Sequence, residues 1–134
     1  MPDELLSVSV NMRLNKARDC LNSAERCITY EDYTTAANCT YYCIFHAIRA
    51  VLITVGFSAK RHSGNIAEFQ RLYIKTKIFP AEFSDIVTNA FSVRIKSDYD
   101  DFYVISKTEV ILQNENAWIF LAAVEKYLSL FLPE

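Results

Sequence analysis

The sequence predicts an all-α fold: one domain forming an up-and-down bundle of four or five helices. Three observations predict it. The 134 residues include only two glycines and three prolines, too few for the many tight turns of a sandwich or barrel. Apolar residues recur at helical spacing through several long stretches. The segments between those stretches are short, with no internal repeat, low-complexity tract or linker. Hydrophobic residues make up 51% and charged residues 22%, an ordinary globular composition. A chain of this length buries roughly two-thirds of its unfolded surface in one core.

The first helix is expected from about Glu4 to Ile28, where Val10, Leu14, Ala17, Leu21, Ala24 and Ile28 form a heptad-like stripe. Glu31-Asp32 makes a short turn. The second helix runs from about Tyr33 to Val55 and is apolar nearly all round, as suits a central helix. Gly56, the favoured residue for a left-handed C-terminal cap, ends it. Phe57–His62 leads to Ser63, which reads as the N-cap of a shorter third helix ending near Thr76. Pro80 occupies a favoured helix-start position, and a fourth helix runs to Ser97 or Asp98. After the loop Tyr99–Ile105, Ser106-Lys107-Thr108-Glu109 reads as a capping box opening a last helix to about Phe131.

The net charge is −2 and the isoelectric point 5.7, which argues against constitutive, sequence-independent nucleic-acid binding. The charge is unevenly placed. Lys60, Arg61, Arg71, Lys75 and Lys77 stand against the single Glu68, while Asp98, Asp100 and Asp101 form an acidic knot, so a local basic patch is compatible with the total. The opening residues include Asp3 and Glu4 and do not read as a signal peptide. The apolar runs Tyr41–Val55 and Ala117–Leu132 are interrupted by His46 and Arg49, and by Glu125 and Lys126. They are expected to be core helices of a cytoplasmic protein that makes no use of a membrane. Cys20, Cys27, Cys39 and Cys43 lack a C-x-x-C pair and read as buried free thiols, not as a zinc site or a disulfide framework.

Chemistry concentrates around Val93–Phe102. Phe83, Val87, Ala90 and Arg94 share one helix face, so Arg94 sits on the apolar stripe. A guanidinium cannot shed its charge there; it needs a carboxylate, a subunit interface or an anionic ligand. Asp98, one turn on, is the nearest candidate partner, and an Arg94–Asp98 pair locking the helix is the structural alternative. Arg94, Asp98 and Tyr99 are the catalytic candidates: Arg94 could stabilise a pentavalent phosphate and Tyr99 could donate or accept a proton, although Tyr99 is a poor base at neutral pH unless its pKa is strongly lowered. The acidic knot lacks the glycine and terminal glutamate of a calcium loop, so no metal is expected.

Two further groups are candidates for binding RNA or a nucleotide. Asn38, Tyr42, His46 and Arg49 follow one another at helical spacing, either as an internal hydrogen-bond network or as a polar pocket facing Arg94 and Asp98. Lys60, Arg61 and His62 precede Ser63-Gly64 at a helix start, a setting that can receive phosphate although P-loop spacing is absent.

Together these residues resemble the HEPN family of prokaryotic helical proteins. The matching pieces are Ala37-Asn38, Tyr41 to Ala50, His62-Ser63-Gly64, and Arg94 to Phe102 followed by a closing helix, covering nearly all of the chain after about Met12. The resemblance implies a helical bundle that forms a homodimer and is paired with a minimal nucleotidyltransferase in a toxin–antitoxin system. It also implies a cofactor-free, metal-independent ribonuclease site built from an arginine and a nearby histidine. Arg94 falls at the family's arginine, but positions 99 to 101 hold Tyr, Asp and Asp where the histidine should follow. Only His46 or His62 could supply an imidazole, by folding or by dimerisation. The tyrosine modification implied for some family toxins has no direct match here, since Asp101 stands at that position between Tyr99 and Tyr103.

Overall fold

The computed structural model describes residues 3–132, and among them the chain forms five α-helices and no strand. These are α1 (Asp3–Thr29), α2 (Tyr33–Ile53), α3 (His62–Phe69), α4 (Glu82–Tyr99) and α5 (Lys107–Ser129). α1 and α2 form a long antiparallel hairpin, α5 packs along both, and α3 and α4 close the remaining side of α2. The expected α1 stripe is the buried one: Val10, Leu14, Ala17, Leu21 and Ala24 lie in the core, with Ile28 half-buried. By length and composition α2 could cross a membrane, contrary to the expectation from its charges. However, 67% of its most apolar stretch is buried by the other helices, which makes it the core helix.

Helix ends follow local chemistry. The Asp32 side chain caps α2 by accepting from the Thr35 N–H at 3.3 Å. Gly56 adopts φ +72°, and Phe57 N–H to Leu52 C=O with Gly56 N–H to Ile53 C=O complete a Schellman turn. Ser106 caps α5 through the Glu109 N–H at 3.1 Å. The reciprocal half of the expected capping box is absent from the hydrogen bonds of the described residues. Glu109 instead accepts from the Tyr103 hydroxyl.

The third helix departs most from expectation. Arg61, in extended conformation, stands at the N-cap position, and Ser63 lies inside the helix. Asn65 replaces the missing serine cap: it is buried, donates to the Ala59 and Arg61 carbonyls, and accepts from the Ala59 N–H. Beyond Phe69 the helix widens into a π turn over Gln70–Ile74, and Lys77 at φ +63° ends the excursion. α4 starts at Glu82, two residues past Pro80, whose carbonyl accepts from the Phe83 N–H.

An aromatic cluster of Phe69, Tyr73, Phe79, Phe83, Phe120 and Tyr127 fills one region of the core. Arg94 lies eleven residues further along α4 from Phe83, about 16 Å at 1.5 Å per residue. A smaller cluster of Ala36, Ala37, Val93, Ile105 and Val110 fixes the end of α4 that carries Arg94.

Candidate functional site

The apolar face of α4 turns Phe83, Val87 and Ala90 into the core and delivers Arg94 onto α2. Its guanidinium carbon lies 5.0 Å from the ring centroid of Tyr41 and 5.2 Å from that of Tyr42. Asp98 is one turn on, with Oδ2 3.8 Å from Arg94 Nε. That is a charge contact and too long for a hydrogen bond; Nε is buried with no hydrogen-bond partner. The carboxylate is half exposed, so the pair does not satisfy the cation.

The closer partner is His62. The Tyr41 hydroxyl lies 2.7 Å from His62 Nδ1, and Arg94 Nη1 approaches the same nitrogen at 3.4 Å. The imidazole stacks on Phe45 with ring centroids 3.9 Å apart. His62 opens α3, and the position of α3 is fixed by Asn65 and by Arg49, which donates to Asn65 Oδ1 at 2.9 Å and Ser58 Oγ at 3.0 Å. Gly64 leaves room for this return, since a Cβ there would stand 3.0 Å from the Ala59 Cβ.

Proton positions follow from the donor inventory. Arg94 has only donors, so the His62 Nδ1 it faces presents a lone pair, and the ring hydrogen sits on Nε2. Tyr41 donates to that lone pair; its hydroxyl is pushed up to about 12 by burial, with Arg94 opposing, and it keeps its proton. Burial, then the charge of Arg94, pushes the His62 pKa down, so the ring is neutral near pH 7. The resting site therefore offers two hydrogen-bond donors: Arg94 and His62 Nε2–H.

Of the residues singled out in the sequence, Lys60, Arg61, His62, Arg94, Asp98 and Tyr99 line one open depression of about 340 Å³. Tyr42 touches this group through Arg94 and through His62, 5.8 Å away between ring centroids. The stripe on α2 does not form a single pocket. Asn38 joins Thr34, Thr35 and Ser97 in a depression on another flank of Arg94 and Asp98, His46 faces Arg13 of α1, and Arg49 serves the α3 loop. Tyr99 is exposed, whereas Tyr103 is engaged by Glu109 and by the Lys96 ammonium. Asn65 and Arg13 drew no notice in the sequence, and Tyr41 and Phe45 entered only as part of the family-matching piece Tyr41 to Ala50. Tyr41 and Phe45 read as plain core in an apolar run, and only the i,i+4 spacing of Tyr41 with Phe45 hinted at a shared platform.

The four cysteines are free; Cys43 is buried, whereas Cys20, Cys27 and Cys39 are only partly so, and burial pushes the Cys20, Cys39 and Cys43 thiols up. Among the described residues no group of three or more His, Cys, Asp or Glu side chains is placed to hold a metal ion.

The HEPN domain profile matches residues 10–128, the whole span from the first buried turn of α1 to the last buried residue of α5. The chain belongs to the HEPN domain family. Among curated relatives, the protein named "Putative toxin MJ0142" of Methanocaldococcus jannaschii is 31% identical over 115 residues, which cover 86% of this chain and 78% of that protein. A protein named "UPF0332 protein" from Thermotoga maritima is 31% identical over 113 residues, 84% of this chain and 86% of its own. A second M. jannaschii protein, "Putative toxin MJ0605", is 29% identical over 83 residues, 62% of each chain. This HEPN domain thus has toxin-named relatives, and it carries its arginine beside a histidine that comes from a different helix.

Proposed function

We propose that this toxin-like HEPN protein binds a phosphate group of RNA or of a nucleotide between Arg94 and His62, with Lys60 and Arg61 at the rim. The observation that carries the reading is the Arg94–His62 contact: Arg94 Nη1 meets His62 Nδ1 at 3.4 Å in a depression where the Asp98 carboxylate, 3.8 Å from Nε, makes no hydrogen bond to the guanidinium. A phosphate would accept from the guanidinium and from Nε2–H, and would supply the anion that Asp98 only partly provides.

Metal-independent RNA cleavage asks more of the same residues. A base at His62 Nε2 requires the other tautomer, with Nδ1–H donating to the Tyr41 oxygen. That tautomer becomes favourable once Arg94 leaves Nδ1 for a phosphate. The domain is proposed to act in the cytoplasm, as a homodimer, paired with a minimal nucleotidyltransferase. The exposed Ile95 and Tyr99 at the site, with the exposed Phe102 and Val104 in the loop that follows α4, support a second copy there, and the toxin-named relatives support the paired system.

The alternative, a non-catalytic dimeric module whose Arg94–Asp98 pair is structural or interfacial, draws on the short separation of that pair and on the family's displaced histidine. An Arg94→Met variant separates the two. The phosphate reading predicts about 10- to 100-fold weaker binding of single-stranded RNA and of AMP, at nearly unchanged thermal stability. Wild-type affinity in Arg94→Met, or collapse of its fold, would overturn it.

A further inference from the structure

A second cluster of cations lies along the same face of α1 and α2, away from Arg94. Arg13 Nη1 contacts His46 Nδ1 at 3.1 Å, and since arginine only donates, His46 is a neutral imidazole with its hydrogen on Nε2. Burial, then Arg13, Lys16, His62 and Arg49, holds the His46 pKa down at about 4; no carboxylate counters them. Among the described residues the ion pairs are Arg18–Glu125, Arg71–Glu68 and Arg94–Asp98, so Arg13, Lys16 and Arg49 have no carboxylate at contact distance. Arg13 and Lys16, with Ser9, Met12 and Ile53, line a depression of about 250 Å³.

Tyr42 joins this cluster to the site above. Its ring centroid is 6.1 Å from that of His46 and 5.8 Å from that of His62, and Arg94 lies over it. Two donor-rich, positively charged clusters are therefore separated by one half-buried aromatic ring. Their mutual repulsion is a cost of folding that an anionic ligand spanning both would relieve. A mononucleotide phosphate reaches one cluster. A single strand presents successive phosphates with bases that stack on aromatic rings between them.

We propose that Arg13, Lys16 and His46 form a second phosphate subsite, linked through Tyr42 to the Arg94–His62 subsite, so that the ligand is a segment of single-stranded RNA. This rests on the phosphate reading of Arg94 and His62. Lys16 is exposed and makes no side-chain hydrogen bond among the described residues, which makes it a safe position to change.

The test uses the full chain, a labelled uridine octamer followed by fluorescence anisotropy across a salt series, and AMP followed by calorimetry. Arg13→Gln/Lys16→Gln is expected to weaken octamer binding about tenfold or more and to leave AMP affinity unchanged. The slope of log affinity against log salt should fall by about 0.7 for each phosphate that is no longer neutralised. Lys16→Glu alone should act in the same direction, and it keeps the test alive if the double variant folds poorly. Octamer affinity unchanged in both variants overturns the second subsite, as does a wild type that binds the octamer no more tightly than AMP. If Arg94→Met still weakens both ligands in that case, the first reading survives; if Arg94→Met weakens neither, the first reading itself fails.

Discussion

Arg94 carries a charge that its own fold does not fully answer. Its Nε is buried and unpartnered, the Asp98 oxygen stands 3.8 Å away, and two aromatic faces supply the rest. A structural ion pair cut in half would cost about 3–5 kcal/mol. Here, replacement by an apolar stem is expected to change stability by no more than about 1 kcal/mol, read by thermal or urea melting, while phosphate binding is lost. His46 makes a separate, pH-dependent prediction. Its folded pKa is near 4 against an unfolded value of 6.5, so the unfolded chain binds more protons between those values. Stability from this group is present above about pH 6.5 and lost as pH falls toward 4. His46→Gln should flatten the melting temperature across that window. Arg94 was legible in the sequence because helical periodicity alone puts it on the apolar stripe. His62 was legible as a residue at a helix start, as part of a family-matching piece and as one of two imidazoles that folding could bring to Arg94, but not as the one of the two that does. Its meeting with Arg94 spans 32 positions and depends on how Asn65 and Arg49 fold the intervening loop back.

Elements obey their local signals except where tertiary contacts override them. The α1–α2 turn places Glu31 at φ +62°, a left-handed position that strains a residue with a Cβ. Glu31→Gly is expected to stabilise the protein by about 1 kcal/mol, seen as a rise of a few degrees in Tm. At the end of α2 the reverse holds: Gly56→Ala meets no neighbouring atom yet should cost about 1 kcal/mol from its φ of +72°. Gly64→Ala should act on function more than on stability. Ala59 must move by a few tenths of an ångström, which disturbs the loop that carries His62. Asp32 reads only as part of a turn, but the caps at Gly56 and Ser106 could be read directly because each acts within a few residues. The π turn after Phe69 could not. It is set by how Phe69 and Tyr73 seat against Phe79 of the following turn and Phe120 and Tyr127 of α5.

As a whole, the molecule uses one buried helix as a scaffold. Tyr41, Tyr42, His46 and Arg49 of α2 engage α1, α3 and α4 in turn, which places two cation clusters on one bundle. The proposed homodimer predicts a solution mass of twice 15.4 kDa by light scattering, and Phe102→Asp, at a 95% exposed position, should shift it to the monomer. The central claim is that Arg94 and His62 act on phosphate as a unit. A double-mutant cycle on AMP binding, using Arg94→Met, His62→Phe and the two combined, tests it most directly. Phenylalanine keeps the stack on Phe45 and removes both ring nitrogens. The account predicts that each single variant loses most of the affinity and that the double loses little more, a coupling above about 1 kcal/mol. Losses that add to within about 0.3 kcal/mol, or a His62→Phe variant that binds as the wild type does, would contradict it.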